Sequence, residues 1–141
     1  MIVQTIGVVG CGQMGAGIAE VSLLAGYDVI IYGRNEDIRP ACRGRIQQSL
    51  QRAVSRGKLE AHEAEAALAR LRGVAYLAEL AAAELVIECV AEDLALKQSV
   101  FRSLDDILRP AAILASNTSS LSISEIALAT RRPDKVLGMH F

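Results

Sequence analysis

Residues 7–15 have the sequence Gly-Val-Val-Gly-Cys-Gly-Gln-Met-Gly, a Gly-x-Gly-x-x-Gly turn that follows an apolar stretch and opens into a helical pattern. In this context Gly10 makes the tight turn out of a strand, Gly12 lets the backbone approach a pyrophosphate, and Gly15 lets the helix pack close to the sheet. The helix N-terminus, at Gln13 and Met14, offers free N–H groups and a partial positive charge to phosphates. The stretch predicts a dinucleotide-binding turn, and a turn that has lost its ligand is the alternative.

The composition is typical of one soluble domain. The 141 residues are 52% hydrophobic, and 15 Lys and Arg against 16 Asp and Glu give a net charge of −1. Because like charges do not cluster, nothing in the sequence favours binding to nucleic acid or to an anionic membrane, and no apolar run reaches the ~18 residues of a membrane span. Three cysteines without metal-ligand spacing are typical of reduced thiols. We expect a cytoplasmic protein without a metal site, cut from a longer chain because it ends on an apolar run.

Short β runs alternate with helical patterns along the chain, which predicts an α/β fold with a doubly wound parallel sheet. The predicted strands are Thr5–Gly10, Asp28–Tyr32, Leu85–Glu88, Ala112–Ser116 and Val136–His140. The predicted helices outside the segment that follows the second strand are Met14–Leu24, Leu94–Leu108 and Ile123–Thr130.

The segment after the second strand predicts a helical-hairpin insertion at about residues 36–72. Glu36 and Asp37 place negative charge where its first helix begins, and that helix runs to about Arg56. A second helix is predicted over Ala61–Arg72. An insertion of this length is longer than an ordinary crossover and indicates a function, with a plain hairpin that covers the sheet as the alternative.

Four segments together resemble a known family. They are the glycine-rich start at residues 10–19, residues 85–93 with Lys97, the block Ser-Asn-Thr-Ser-Ser at 116–120, and Gly-Met-His-Phe at 138–141. With this spacing the chain resembles the 3-hydroxyacyl-CoA dehydrogenases over nearly its whole length. The resemblance implies that residues 1–141 are a Rossmann domain that binds NAD(P), in an oxidoreductase that interconverts 3-hydroxyacyl-CoA and 3-oxoacyl-CoA in fatty-acid or butanoate metabolism. It also implies a helical C-terminal domain, absent from this chain, through which family members form homodimers.

His140 and Ser119 are the catalytic residues that the resemblance implies. His140 matches the family base that removes the hydroxyl proton, and imidazole is the usual base near neutral pH. Ser119 matches the serine that hydrogen-bonds the reacting oxygen, a task that suits a group able to donate or accept. The alternatives are a core histidine and a serine, Ser119 or Ser120, that caps the next helix. Because the family Glu that orients the His lies about a dozen residues downstream, we expect residues 1–141 alone to bind cofactor without turnover.

The resemblance also implies contacts with the cofactor and with coenzyme A. Glu92 and Lys97 match residues on the ribose and nicotinamide side, and Asn117 of the polar block is expected to bind the cofactor too. A helix N-terminal charge at Glu92 and a solvated side chain at Lys97 are the alternatives. Ser49 and Arg56 lie two turns apart on one face of the long predicted helix, where the family contacts the coenzyme A nucleotide. Exposure to solvent alone is the alternative for these two.

The end of the second predicted strand departs from the family. An acid there normally accepts the ribose hydroxyls and repels a 2′-phosphate. Here Gly33 stands at that position, 23 residues after Gly10, and Arg34 follows it. A guanidinium suits phosphate because its planar fork offers paired donors and a permanent charge. We expect NADP to be preferred to NAD, the family default, and an NAD enzyme in which Arg34 stacks on the adenine is the alternative.

Two other functions stay open at this point. Another β-hydroxyacid dehydrogenase would share the glycine-rich turn and an Arg after the second strand, but would carry a different serine-glycine block in place of Ser116–Ser120. A non-catalytic relative, such as a redox sensor or a lens-type structural protein, would keep the Rossmann core and could keep His140. Activity of the longer parent on acetoacetyl-CoA separates the three.

Overall fold

Six parallel strands form one sheet in the computed structural model, which describes residues 2–36 and 38–141. The strands are β1 (Thr5–Val9), β2 (Asp28–Tyr32), β3 (Leu71–Val74), β4 (Leu85–Glu88), β5 (Ile113–Ser116) and β6 (Val136–Gly138). Their order across the sheet is β3-β2-β1-β4-β5-β6, so the chain winds outward from β1 in both directions. This is the doubly wound Rossmann order, and it confirms the predicted fold class.

Helices cover both faces of the sheet. They are α1 (Gln13–Leu24), α2 (Ile38–Ser55), α3 (Ala61–Ala69), α4 (Leu94–Ile107) and α5 (Ile123–Ala127). One apolar cluster joins the first three helices to one face, with Ile18 and Ile46 among its buried side chains. A second cluster joins α4 and α5 to the other face, with Phe101 and Ile126 at its centre. The four central strands, β1, β2, β4 and β5, are mostly apolar without alternation because both of their faces are buried.

One prediction for the helical insertion is wrong. The helix predicted over Ala61–Arg72 ends at Ala69, and the next residues form β3, which pairs with β2 as the edge strand. Only the terminal residues of β3, Leu71 and Val74, are buried. A strand this short has no periodicity that separates it from the end of a helix, so the sequence pattern favoured the neighbouring helix.

The other predicted elements are present, some with shorter ends. α5 ends at Ala127 rather than at Thr130, and β6 ends at Gly138 rather than at His140. His140 therefore lies beyond the carboxyl end of its strand. Asp37, predicted at the start of the insertion, lies outside the described residues.

Three further features concern membranes, metals and cysteines. In residues 2–36 and 38–141, no helix combines the length and the apolar character needed to cross a bilayer. The same residues bring no three His, Cys, Asp or Glu side chains together in a way that could hold a metal ion. Cys11, Cys42 and Cys89 are free thiols.

Candidate cofactor and catalytic site

Two clefts lie along the carboxyl edge of the sheet. The β2-side cleft, of about 500 Å³, extends from the glycine-rich turn to the end of β2 and the side of α2. The β5-side cleft, of about 440 Å³, lies over the ends of β4, β5 and β6. Val90 lines both clefts. The winding of the chain reverses between β1 and β4, and sheets of this kind bind ligands in the crevice at that point.

The glycine-rich turn has the geometry that a pyrophosphate needs. Gly10 has a φ of 122°, which side chains rarely allow. A Cβ at Gly15 would collide with the Gly10 carbonyl oxygen, so only glycine lets α1 approach the turn this closely. A Cβ at Gly12 would meet nothing within 4 Å, and no side chain caps the N-terminus of α1, which begins at Gln13. The uncapped N–H groups and the open space beside the turn fit an anionic group.

Gly33 and Arg34 line the β2-side cleft where β2 ends. Gly33 is buried, its N–H donates to the Val74 carbonyl at 3.2 Å, and its own carbonyl accepts from Arg39 Nη1 at 2.8 Å. Arg34 is exposed, and a second exposed arginine, Arg45 of α2, lines the same cleft. Neither guanidinium has a hydrogen bond or an ion pair with the residues that the structure describes. Both charges are therefore available to a ligand.

Sequence reasoning missed Arg45 and Cys42. Together with Ala41 they lie on one side of α2 and line the β2-side cleft. The signal was available, since positions 41, 42 and 45 have the spacing of neighbours on one helical face. The sequence did not show that this face of α2 lies opposite the glycine-rich turn.

Two of the three cysteines at the clefts, Cys11 and Cys89, have raised pKa values, whereas the hydrogen bond with Cys11 lowers the pKa of Cys42. A hydrogen bond with Cys42 and burial both raise the pKa of Cys11 on the glycine-rich turn. Burial and the nearby Glu88 carboxylate raise the pKa of Cys89, half-buried just after β4, to about 12. A neutral thiol is a weak nucleophile, so neither residue has the character of a reactive cysteine.

His140 and Ser119, the two predicted catalytic residues, lie in one cleft. The β5-side cleft is lined by Met14, Cys89, Val90, Ala91, Glu92, Asn117, Ser119, His140 and Phe141. His140 and Ser119 are both exposed, and neither side chain hydrogen-bonds to another residue in the described part of the chain. The alternative of a core histidine is therefore wrong. The structure also brings the predicted cofactor residues Glu92, Asn117 and Met14 into this cleft.

Glu92 anchors the loop that carries Ser119 through two hydrogen bonds. Its Oε2 accepts from Thr118 Oγ1 at 2.6 Å and from Ser120 Oγ at 2.8 Å. Thr118 Oγ1 in turn accepts from the Leu121 N–H at 3.1 Å. The hydrogen bonds from Thr118 and Ser120 hold the pKa of Glu92 below its usual value. The carboxylate is thus charged at neutral pH and keeps the loop over the cleft.

A buried ion pair lies beneath this loop. Lys97 Nζ is 2.5 Å from Glu88 Oε2, and the two side chains are 0% and 1% exposed. The same Nζ is 3.1 Å from Glu92 Oε1 and donates to the Val90 carbonyl at 3.2 Å. Glu88 also accepts from Ser116 Oγ at 2.6 Å and from the Val90 N–H at 2.6 Å. The pair joins α4 to β4 and β5, and we call it, with Ser116 and Glu92, the β4 network.

Two alternative interpretations of this region are wrong, and one stays open. Lys97 is fully buried rather than solvated, and its charge reaches the cleft through Glu92. Asp93 caps α4, because Asp93 Oδ1 accepts from the first turn of that helix at 3.1 Å, and Glu92 directly precedes this cap, so a helix N-terminal charge at Glu92 stays an alternative. Ser122, not Ser119 or Ser120, caps α5. Sequence reasoning missed Glu88, although an acid at the end of an otherwise apolar strand is a signal for a buried partner.

Ser49 and Arg56 lie outside both clefts. Ser49 Oγ donates to Glu20 Oε1 at 2.7 Å and so joins α2 to α1. Arg56 is exposed and directly follows the last residue of α2. Their contact with coenzyme A stays a prediction.

Comparisons with known proteins identify the family. The family described as 3-hydroxyacyl-CoA dehydrogenase, NAD binding domain, matches residues 5–141. A 3-hydroxybutyryl-CoA dehydrogenase of Mycobacterium tuberculosis is 49% identical over 140 residues, which are 99% of this chain and 49% of the relative. A probable 3-hydroxybutyryl-CoA dehydrogenase of Bacillus subtilis is 43% identical over 100% of this chain and 49% of the relative. The chain thus spans about half the length of these curated relatives.

Solved structures agree with this assignment. The crystal structure of M. tuberculosis FadB2 matches with a TM-score of 0.97 and 48% identity, over 100% of this chain and 50% of that one. The 3-hydroxybutyryl-CoA dehydrogenase of Escherichia coli K12 matches with a TM-score of 0.98 and 41% identity, over 100% of this chain and 30% of that one. The glycine-rich turn and the β5-side cleft are consistent with these similarities. The chain belongs to the 3-hydroxyacyl-CoA dehydrogenase family as its nucleotide-binding domain.

Proposed function

We propose that this domain serves an NAD(P)-dependent dehydrogenase that interconverts (S)-3-hydroxyacyl-CoA and 3-oxoacyl-CoA in fatty-acid or butanoate metabolism. The observation that carries the proposal is that His140 and Ser119 line one cleft with Met14, which lies in the first turn of α1. The names of the relatives support this substrate class, since they include 3-hydroxybutyryl-CoA and 3-hydroxyadipyl-CoA dehydrogenases. We propose 3-hydroxybutyryl-CoA or a close relative as the substrate.

Each residue of the β5-side cleft has a role in this proposal. The imidazole of His140 takes the proton of the 3-hydroxyl in oxidation and returns it in reduction. The Ser119 hydroxyl hydrogen-bonds the same oxygen as either an alcohol or a ketone, because it donates and accepts. A bound nicotinamide supplies the hydride acceptor. Asn117 and Glu92 orient the ribose and nicotinamide, and Lys97 holds Glu92 in place.

We propose the β2-side cleft as the adenosine site, with NADP(H) preferred to NAD(H). Gly33 brings no carboxylate to the ribose, and Arg34 and Arg45 present two guanidinium groups without partners among the described residues. A 2′-phosphate therefore meets positive charge and no acid from these positions. One charge-assisted pair contributes about 1.5–3 kcal/mol, or roughly ten- to a hundredfold in affinity.

Titration with both reduced cofactors tests this preference. NADPH is expected to bind more tightly than NADH, and Arg34→Ala is expected to weaken NADPH binding while leaving NADH binding unchanged. Equal affinities for the two cofactors, together with no effect of Arg34→Ala, would contradict the preference and leave an ordinary NAD site.

The reduction of acetoacetyl-CoA tests the catalytic roles in the complete protein that contains this domain. His140→Ala is expected to lower kcat by about 10²–10⁴-fold because it removes the general acid and base. His62→Ala is the matched control, since His62 is exposed on α3 and lines neither cleft. Full activity of the His140 variant would contradict the role. Residues 1–141 alone are expected to bind cofactor without reaching a normal kcat of about 1–10³ per second.

Two further parts of the proposal concern coenzyme A and assembly. Ser49 and Arg56 are proposed to contact the coenzyme A nucleotide, Arg56 through its exposed guanidinium. Arg56→Ala is then expected to raise KM for acetoacetyl-CoA with little change in kcat, whereas Arg52→Ala is not. Homodimerisation through a helical C-terminal domain is proposed from the family resemblance, and sedimentation of the complete protein tests it.

A further inference from the structure

Gly33 is not required by its backbone conformation. The positive-φ glycines are Gly10, Gly26 and Gly57, and Gly33 is not among them. What excludes a side chain at position 33 is space. A Cβ built there would lie 2.5 Å from Cys11 Sγ and 3.2 Å from both Cys11 Cβ and Arg39 Cγ. Nonbonded carbon atoms settle at about 3.5–4.0 Å and sulfur is larger, so the Cys11 thiol fills the volume that a side chain at position 33 needs.

The Cys11 thiol can leave position 33 in only two directions. Cys11 is 7% exposed and lies in the turn between β1 and α1, and Cys42 of the same apolar cluster is 1% exposed. A rotation of the Cys11 side chain would move the sulfur either into the β2-side cleft, where the adenosine is proposed to bind, or into the packed cluster that also holds Ile31 and Ala16. Overpacking of this kind is destabilising because neighbouring side chains leave their preferred rotamers.

We propose that Cys11 is a specificity-determining residue for the cofactor, because its thiol excludes a ribose-binding acid from position 33. Cys11 and Gly33 then act as one unit, and neither can be exchanged for a larger residue alone. With the acid excluded, the charged side chains that line the described part of this cleft are Arg34 and Arg45. The cofactor part of the inference rests on the dinucleotide site proposed above, whereas the steric part does not.

Thermal unfolding of a double-mutant cycle tests the steric part. Gly33→Ala adds only a Cβ and is expected to lower Tm by roughly 3–10 °C. In a C11A background the same change is expected to lower Tm by less than half as much, because the sulfur is gone. Cys42→Ala is the matched control, since it removes a buried thiol from the same cleft without clearing the atoms nearest to position 33. A Gly33→Ala change that lowers Tm equally in the wild-type and C11A backgrounds would overturn the inference.

Cofactor titration tests the specificity part. Gly33→Asp alone is expected to give no gain in NADH affinity, whereas C11A/G33D is expected to bind NADH about tenfold more tightly and NADPH more weakly than C11A. An equal NADH gain in G33D and in C11A/G33D would overturn the role of Cys11. A wild-type protein that binds neither dinucleotide would overturn the proposed function and the specificity part together, and the Tm cycle would still decide the steric part.

Discussion

The two clefts at the carboxyl edge of the sheet are stabilised by different kinds of interaction. The β5-side cleft rests on the β4 network, in which a buried ion pair, Lys97 with Glu88, connects through Glu92 to the loop that carries Ser119. The β2-side cleft is formed by glycines, apolar side chains and two thiols, and its arginines, Arg34 and Arg45, have no partners among the described residues. One cleft is fixed by charge and hydrogen bonds, and the other by close packing.

This difference follows the chemistry that each cleft is proposed to perform. Hydride and proton transfer need reacting groups held within fractions of an ångström, and a buried network holds a loop to that precision. Recognition of an adenosine phosphate needs shape and positive charge, which close packing and unpaired arginines supply. Gly33, where the family resemblance predicts an acid, lies in the β2-side cleft. We infer that cofactor preference can change there without disturbing the proposed catalytic residues of the β5-side cleft.

The largest expected effect is the loss of the charge at Lys97. Lys97→Met leaves the Glu88 carboxylate buried without its ionic partner. Removal of one partner from a buried ion pair costs about 3–5 kcal/mol in the free energy of unfolding. Urea unfolding of the wild-type protein and the variant measures the loss.

Two variants control this experiment. Lys58→Met changes an exposed lysine and is expected to alter the free energy of unfolding by less than about 0.5 kcal/mol. The double variant E88M/K97M removes both charges and is expected to recover part of the stability, because Ser116 Oγ and the Val90 N–H still lose their acceptor. If Lys97→Met were no more destabilising than Lys58→Met, the β4 network would not stabilise the β5-side cleft.

A smaller effect is expected at Ser116, on the other side of the same carboxylate. Ser116 Oγ donates to Glu88 Oε1 at 2.6 Å, and both residues are buried. Ser116→Ala is expected to cost about 1–3 kcal/mol, because one carboxylate oxygen loses its donor. Ser22→Ala is the matched control, since this buried serine donates only to the neutral Ile18 carbonyl, at 2.8 Å. Equal losses in the two variants would show that the charge on Glu88 does not matter.

The sequence predicted those parts of the site that are continuous along the chain. The glycine-rich turn and the block around Ser119 are short motifs whose spacing survives folding, and the structure places each at the carboxyl edge of the sheet. β3 could not be predicted, because four residues with buried ends carry no period of their own.

Contacts between segments that are distant along the chain could not be predicted from the sequence either. Cys11 meets position 33 across the sheet edge, and Arg45 reaches the same cleft from a helix. Lys97 was expected to contact the cofactor, and nothing in the sequence shows that α4 packs it against Glu88 on β4. These contacts depend on how the strands pair and how the helices pack on the sheet, which local residue patterns do not encode.

The charge at Arg45 gives a test of the β2-side cleft. Its expected effect on free energy is smaller than the effects of the Lys97 and Ser116 variants. Arg45→Ala is expected to weaken NADPH binding by about tenfold and to leave NADH binding unchanged, because only the 2′-phosphate needs the second guanidinium. Arg52→Ala is the matched control, since it removes an exposed arginine from the same helix outside the cleft. Fluorescence titration measures both. A loss of NADH affinity equal to that of NADPH would place Arg45 elsewhere on the cofactor.

The smallest expected effect is a pH response of the loop over Ser119. Hydrogen bonds from Thr118 and Ser120 lower the pKa of Glu92 from its ordinary value of 4.5. The folded protein therefore binds this proton less readily than the unfolded chain does. The stabilising contribution is fully present above pH 4.5 and is lost as the pH falls through the lower value of the folded state.

Protection of the Leu121 amide against hydrogen exchange is expected to decrease in that acid range, because this amide donates to Thr118 Oγ1. Glu92→Gln keeps an acceptor oxygen but does not titrate, so its loop should show no such step. The same step in both proteins would assign the acid response to another group and would show that Glu92 does not control the loop over Ser119.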